Sequence, residues 1–216
     1  MCYASNFGGV EKYGDHCDTF FEEDDFEKIT SENVRRELKR VEKRRVKLYA
    51  SIIDSLRNEG NLSGVEAGNK ISNHLRAIIE SVDKGKIEPT VSNFRSIELF
   101  FRTRCRNAVV KKIKEIINVE REYEKRYPGR RHEKLNWDQL LGVRIGNLDD
   151  GKIVMDCAVL SSFRGHLIFV TADQKDILGK KEEILSFVND YCSIVSDLQD
   201  PDFEIHHIAD LVNCYG

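Results

Sequence analysis

Apolar residues recur at helical spacing through the first two thirds of the chain, and shorter mixed runs follow. In SENVRRELKRVEKRRVKLYASIIDSL, the residues Val34, Leu38, Val41, Leu48, Ile52 and Leu56 fall three, four or seven apart. That period predicts a helix over residues 31 to 57, with Ser31 as N-cap and Asn58 and Gly60 as its stop. A second helical stretch, residues 65 to 82, sets Ile71, Leu75, Ile78 and Val82 on one stripe and closes before Pro89. A third is expected from about Val91 to Tyr127, with Phe94, Ile97, Phe101, Cys105, Ala108, Ile113 and Ile116 turned inward.

At YPGRRHEK, residues 127 to 134, a turn dipeptide meets a basic cluster and the character changes. Beyond it, DDGKIVMDCAVLSSF has the length of a buried helix, and HLIFVT reads as a short strand. KKEEILSFVNDYCSIV then reads as a helix and FEIHHI as a second strand. The expected fold class is α/β: an αβ region over residues 135–216, preceded by a helical basic region over 31–134 and an irregular acidic segment over 1–30. There is no internal repeat.

Composition narrows the class. The 216 residues are 40% hydrophobic and 33% charged, enough apolar mass for one full core or two small ones. No apolar run approaches a membrane span and no signal-peptide pattern opens the chain, so a cytoplasmic location is expected. The six cysteines show no C-x-x-C spacing and are read as reduced thiols.

The net charge of -3 conceals a gradient. Residues 31–60 carry nine Lys and Arg against five acids, and residues 95–134 carry thirteen against six. From 135 onward six basic residues face fourteen acidic ones. A cationic first part suits an anionic partner, and it equally suits solvated helix faces.

The chemistry concentrates around residue 150. In an αβ unit, the N-terminus of the helix from 150 to 163 and the C-terminus of the strand from 167 to 171 lie at one edge. Asp149 and Asp150 stand at the first and Asp173 at the second. Carboxylates meeting there would repel unless a divalent cation neutralised them. Asp156 falls inside the same apolar helix, where a carboxylate is costly unless paired or metal-bound. Simpler roles are open as well: Asp149 or Asp150 as the helix N-cap, Asp173 in an Asx-turn, Asp156 at a solvent gap. Neighbouring His206 and His207 point to opposite faces of a strand and cannot chelate one ion together. No phosphate-binding glycine loop or nucleophile elbow is present.

The segment LDDGKIVMDCAVLSSFRGHLIFVTADQKDI resembles the C-terminal half of PIN-domain nucleases. Thr171, Ala172 and Asp173 match the T-x-D that ends a short strand, and Asp150 with Ile153 matches the D-x-x-I of the preceding helix. Asp156 competes with Asp150 for that role. The likeness runs over about residues 148–210. It implies a PIN-like three-layer αβ portion and Mg²⁺- or Mn²⁺-dependent cleavage of RNA, less often DNA. Asp150 and Asp173 would be catalytic, and Asp150, Asp156 and Asp173 would hold the metal. The family's opening aspartate has a counterpart only in Asp18-Thr19, which follows no apolar strand, and its helix glutamate only in Glu98.

Arg102, Arg106, Lys111, Lys112, Arg130 and Arg131 are the expected contacts to an RNA backbone. The rival expectation is a non-catalytic module, either binding nucleic acid through the basic helices or docking another protein or a second copy through helix 31–57.

Overall fold

The computed structural model describes residues 14–23, 26–69, 71–107, 113–194 and 201–215. The chain forms two compact units, one of residues 1–24 and 38–112, the other of residues 25–37 and 113–216. Most of the described chain is helical, with a few short parallel strands. Among the described residues, no helix is long and apolar enough to cross a membrane.

The first unit contains α1 (Gly14–Glu22), most of α2 (Glu32–Asn58), α3 (Ser72–Asp83) and α4 (Val91–Asn107). Its core is the expected helical stripe: Leu48, Ile52 and Leu56 of α2, Leu75 and Ile78 of α3, and Phe94, Ile97, Phe101 and Cys105 of α4 are buried. Each such side chain contributes about 1.5–3 kcal/mol when fully buried. Inside this core the Tyr49 hydroxyl and His74 Nε2 share a hydrogen bond of 2.9 Å. At the other end of the stripe Val34, Leu38 and Val41 are only half-buried. Ser31 does sit at the helix start, its Oγ accepting from the Val34 N–H at 3.4 Å.

The single helix expected over residues 91–127 is corrected. After α4, the chain forms β2 (Glu115–Ile117) and then α5 (Val119–Arg126). The β-branched pair Ile116 and Ile117 fits a strand, and Asn118 starts a new helix by accepting from the Arg121 N–H at 3.0 Å. The partner strand, β1 (Ile29–Ser31), lies in the segment expected to be irregular, as does α1. Pairing of Ile29 with Glu115 and Ser31 with Ile117 sets them parallel. Neither strand is long enough to show a period of two, so neither carries a strand signal of its own.

The second unit continues with α6 (Arg131–Ile145), α7 (Leu148–Arg164), β3 (Leu167–Thr171), α8 (Lys181–Ile194), β4 (Phe203–His207) and α9 (Ile208–Tyr215). Strands β3 and β4 pair in parallel from Leu167 opposite Phe203 to Thr171 opposite His207, with α8 in the crossover between them. The fold is α/β in this sense, although the described strands form two separate two-stranded pairs.

Buried α7 is the axis of this unit, carrying Val154, Met155, Ala158, Val159 and Leu160 into a core shared with Tyr123, Leu141, Phe187 and Ile205. Its approach to α6 depends on two glycines. A Cβ on Gly151 would lie 2.4 Å from the Gly142 nitrogen and 2.5 Å from its Cα, so only glycine admits the two backbones so close. The turn between the helices uses Gly146 at φ 83° and then Asn147, the N-cap of α7. Trp137 packs edge-on against Phe187 and Tyr191 and anchors α6 on α8.

Candidate metal centre

Three carboxylates meet where α7 begins and β3 ends. Asp150 is in the first turn of α7, and Asp173 and Asp176 are in the turn after β3. One oxygen of each lies within 4.8 Å of the others, and all three residues are half-buried. The simpler local roles exist beside this convergence. The helix cap is Asn147, which accepts from the Asp149 and Asp150 N–H groups and donates through Nδ2 to Asp150 Oδ2. Asp173 makes an Asx-turn: Oδ1 accepts from the N–H groups of Lys175 at 3.0 Å and Asp176 at 2.8 Å. Thr171 Oγ1 accepts from the Asp173 N–H at 3.0 Å, which fixes the chain as it leaves the strand.

That turn explains Asp176, which the T-x-D pattern does not cover. Folding residues 173–176 back on themselves brings carboxylates three positions apart to the same point. An acid at the i+3 position of a predicted Asx-turn was the available signal.

Among the described residues, no Lys, Arg or His forms an ion pair with any of the three. Burial pushes the Asp150 carboxyl up to about 6, and the charges of Asp173, Asp176, Asp149 and Glu37 add to the rise. The donors are all carboxylate oxygens, the set that suits Mg²⁺ or Mn²⁺ rather than a soft thiolate-seeking ion.

Asp156 lies elsewhere. Six residues after Asp150 on α7, it is turned about 120° around the helix and displaced about 9 Å along it. It is 1% exposed, and Lys134 Nζ stands 2.9 Å from its Oδ1 while Asn33 Nδ2 donates to its Oδ2 at 2.9 Å. The same ammonium donates to both oxygens of Asp138 at 3.0 Å. Burial works against the Lys134 charge, but Asp156 and Asp138 outweigh it and hold its pKa above the ordinary value. Burial also pushes Asp138 up to about 7 against the pull of Lys134. The apolar helix does pair its buried acid, as the cost of isolated charge requires, with a lysine rather than a metal.

The expected first-half acids belong to the other unit and have arginine partners there: Asp18 pairs with Arg104, and Glu98 with Arg102 at 2.7 Å. Of the expected backbone contacts, Arg102 is thus engaged with Glu98, Arg130 with Glu133 at 3.0 Å and Arg131 with Glu120 at 2.6 Å. Lys111, Lys112 and the side chain of Arg106 lie outside the described residues. His206 and His207 sit on opposite faces of β4, where exposure alternates. Burial pushes the thiols of Cys105 and Cys157 up to about 12, so neither supplies a thiolate.

No family model, no curated protein sequence and no solved structure matches the chain.

Proposed function

We propose that the second unit is a Mg²⁺- or Mn²⁺-dependent ribonuclease of PIN-like, three-layer character, or a relative of one that holds the cation but cleaves poorly. The observation that carries this reading is the meeting of Asp150, Asp173 and Asp176 with no cationic side chain paired to them among the described residues. Two of the three are the aspartates of the D-x-x-I and T-x-D pattern. A bound divalent ion would acidify a water and offset charge on the scissile phosphate. In this reading Asp150 and Asp173 orient that ion from a helix N-terminus and a strand end, and Asp176 completes the protein's share of ligands. Burial, and then the neighbouring acids, raise the Asp150 carboxyl to about 6, so a bound cation would favour its charged form.

Cleavage is expected to be slow. Three carboxylates leave much of the ligand shell to water, and a 1 Å misplacement of an attacking group can cost about 100-fold. The test is single-stranded RNA with Mn²⁺ and the purified chain, beside Asp150→Asn and Asp173→Asn. Slow cleavage lost in both variants supports a nuclease, and Mn²⁺ binding without cleavage supports the poorly cleaving relative. A parent chain that neither binds Mn²⁺ nor cleaves overturns both, while equal cleavage by all three proteins points to a contaminant and counts against the reading.

A further inference from the structure

Between Leu38 and Tyr49, every position of α2 that is exposed carries a positive charge: Lys39, Arg40, Lys43 and Lys47. Helical geometry groups them, since steps of 100° per residue put all four within an arc of about 100°. Lys39, Lys43 and Lys47 form a straight row with about 6 Å between successive Cα atoms. The opposite face of α2 is committed to the core. There the Arg45 guanidinium lies 5.4 Å from the centre of the Phe101 ring, and Tyr49 packs edge-on against the same ring at 5.9 Å. Glu42 also points that way, close enough to influence Cys105 of α4. The only acid between Leu38 and Tyr49 is therefore off the row. Among the described residues, Lys39, Lys43 and Lys47 have no ion-pair partner.

We infer that this row binds single-stranded RNA through its phosphates, without reading sequence. Three features favour that occupant. A membrane surface would require large apolar side chains beside the lysines to enter the headgroup boundary, and the exposed residue that extends the row, Ala50, offers only a methyl group. A protein interface requires a dry apolar centre, where lysine is depleted. A line of ammonium groups on one helix flank instead complements a flexible polyanion that can follow it. The choice of RNA as the strand rests on the nuclease reading; the binding itself does not, because it requires no divalent ion.

The test is fluorescence anisotropy of labelled oligouridylate with the full chain in EDTA, which separates this surface from the carboxylate site. Three neutralised phosphates on a single strand give a log–log salt slope of about -2, a fall of about 20-fold between about 50 and 200 mM salt. The variant Lys39→Gln, Lys43→Gln, Lys47→Gln should flatten the slope by about that amount and weaken binding at least about 20-fold at the lower salt. Glutamine keeps helix propensity at exposed positions, and unchanged circular dichroism checks the fold. Replacing the same three by Arg should retain binding, and Lys84→Gln with Lys86→Gln, elsewhere in this unit, should leave it nearly unchanged.

Undiminished binding by the triple Gln variant, or an equal loss in the Lys84 and Lys86 control, overturns the assignment. So does a parent chain that ignores RNA, whether or not it adheres to phosphatidylserine vesicles; adherence would reassign the row to a lipid surface. A Mn²⁺ response that survives any of these results leaves the carboxylate centre standing on its own.

Discussion

Two carboxylates six positions apart on α7 have opposite fates. Asp150, in the first turn of the helix and half-buried, meets two further acids and a hydrogen bond from Asn147 but no cation among the described residues, and its carboxyl is held up to about 6. Asp156 is sealed in the core, where Lys134 and Asn33 answer both of its oxygens. Both residues sit on one helix, so the element alone does not tell them apart. What differs is compensation from other elements. At Asp156 the counter-charge comes from α6 and the hydrogen bond from the start of α2; at Asp150 the incoming turn brings further negative charge. The first carboxylate has its counter-charge from within the fold; on the proposed reading, the second would take its own from a bound cation.

The largest effect expected from breaking this contrast is on the sealed side. Lys134→Met leaves Asp138 and Asp156 buried without a counter-ion and should cost about 3–5 kcal/mol in urea unfolding. Adding Asp138→Asn and Asp156→Asn to it should recover much of the loss. A loss under about 1 kcal/mol for Lys134→Met would mean that the aspartates simply take up protons at little cost. On the open side, Mn²⁺ should stabilise the chain by about 2.7 kcal/mol at 100 times its Kd. Asp173→Asn should abolish the corresponding rise in Tm. An unchanged response in that variant would remove Asp173 from the site.

The two acids share one support, the contact of Gly151 with Gly142. Gly151→Ala should destabilise by about 1–3 kcal/mol, because the new methyl meets fixed backbone rather than a yielding side chain. It should also weaken the Mn²⁺ response by shifting the first turn of α7. Full stability in that variant would show that α6 and α7 can separate without cost.

The smallest effect is a slope. Asp138 at about 7 and Asp150 at about 6 both stand above their unfolded values of about 3.9, so the folded chain binds more protons than the unfolded one across that window. Their contribution to stability is full below about pH 4 and is lost as pH rises through about 6 for Asp150 and about 7 for Asp138. Mn²⁺ should flatten the Asp150 part and leave the Asp138 part, and Asp138→Asn should do the reverse. Urea midpoints across pH, with and without Mn²⁺, separate the two.

Much of this was legible in the order of residues. The period of apolar positions located α2 and α3, and the length and bounds of the later apolar runs located α7, α8, β3 and β4. Asp150 and Asp173 were legible as neighbours because the direction of a helix followed by a strand brings their ends to one edge. The three-residue strands β1 and β2 were not legible: their pairing joins Ile29 to Glu115 across the sequence, and neither half means anything alone.

The sequence by itself determined that α7 would be a buried helix and that any acid within it must be answered. Which group would answer was decided by tertiary structure. Lys134 and Asn33 are remote from Asp156 in the chain, and only the packing of α6 and the start of α2 against α7 brings an ammonium and an amide to its oxygens. In the same way, the turn after β3, and not the spacing of acids, decided that Asp176 would join Asp150 and Asp173. Charge acts through distance in space, and a linear pattern carries that distance only where regular structure fixes it.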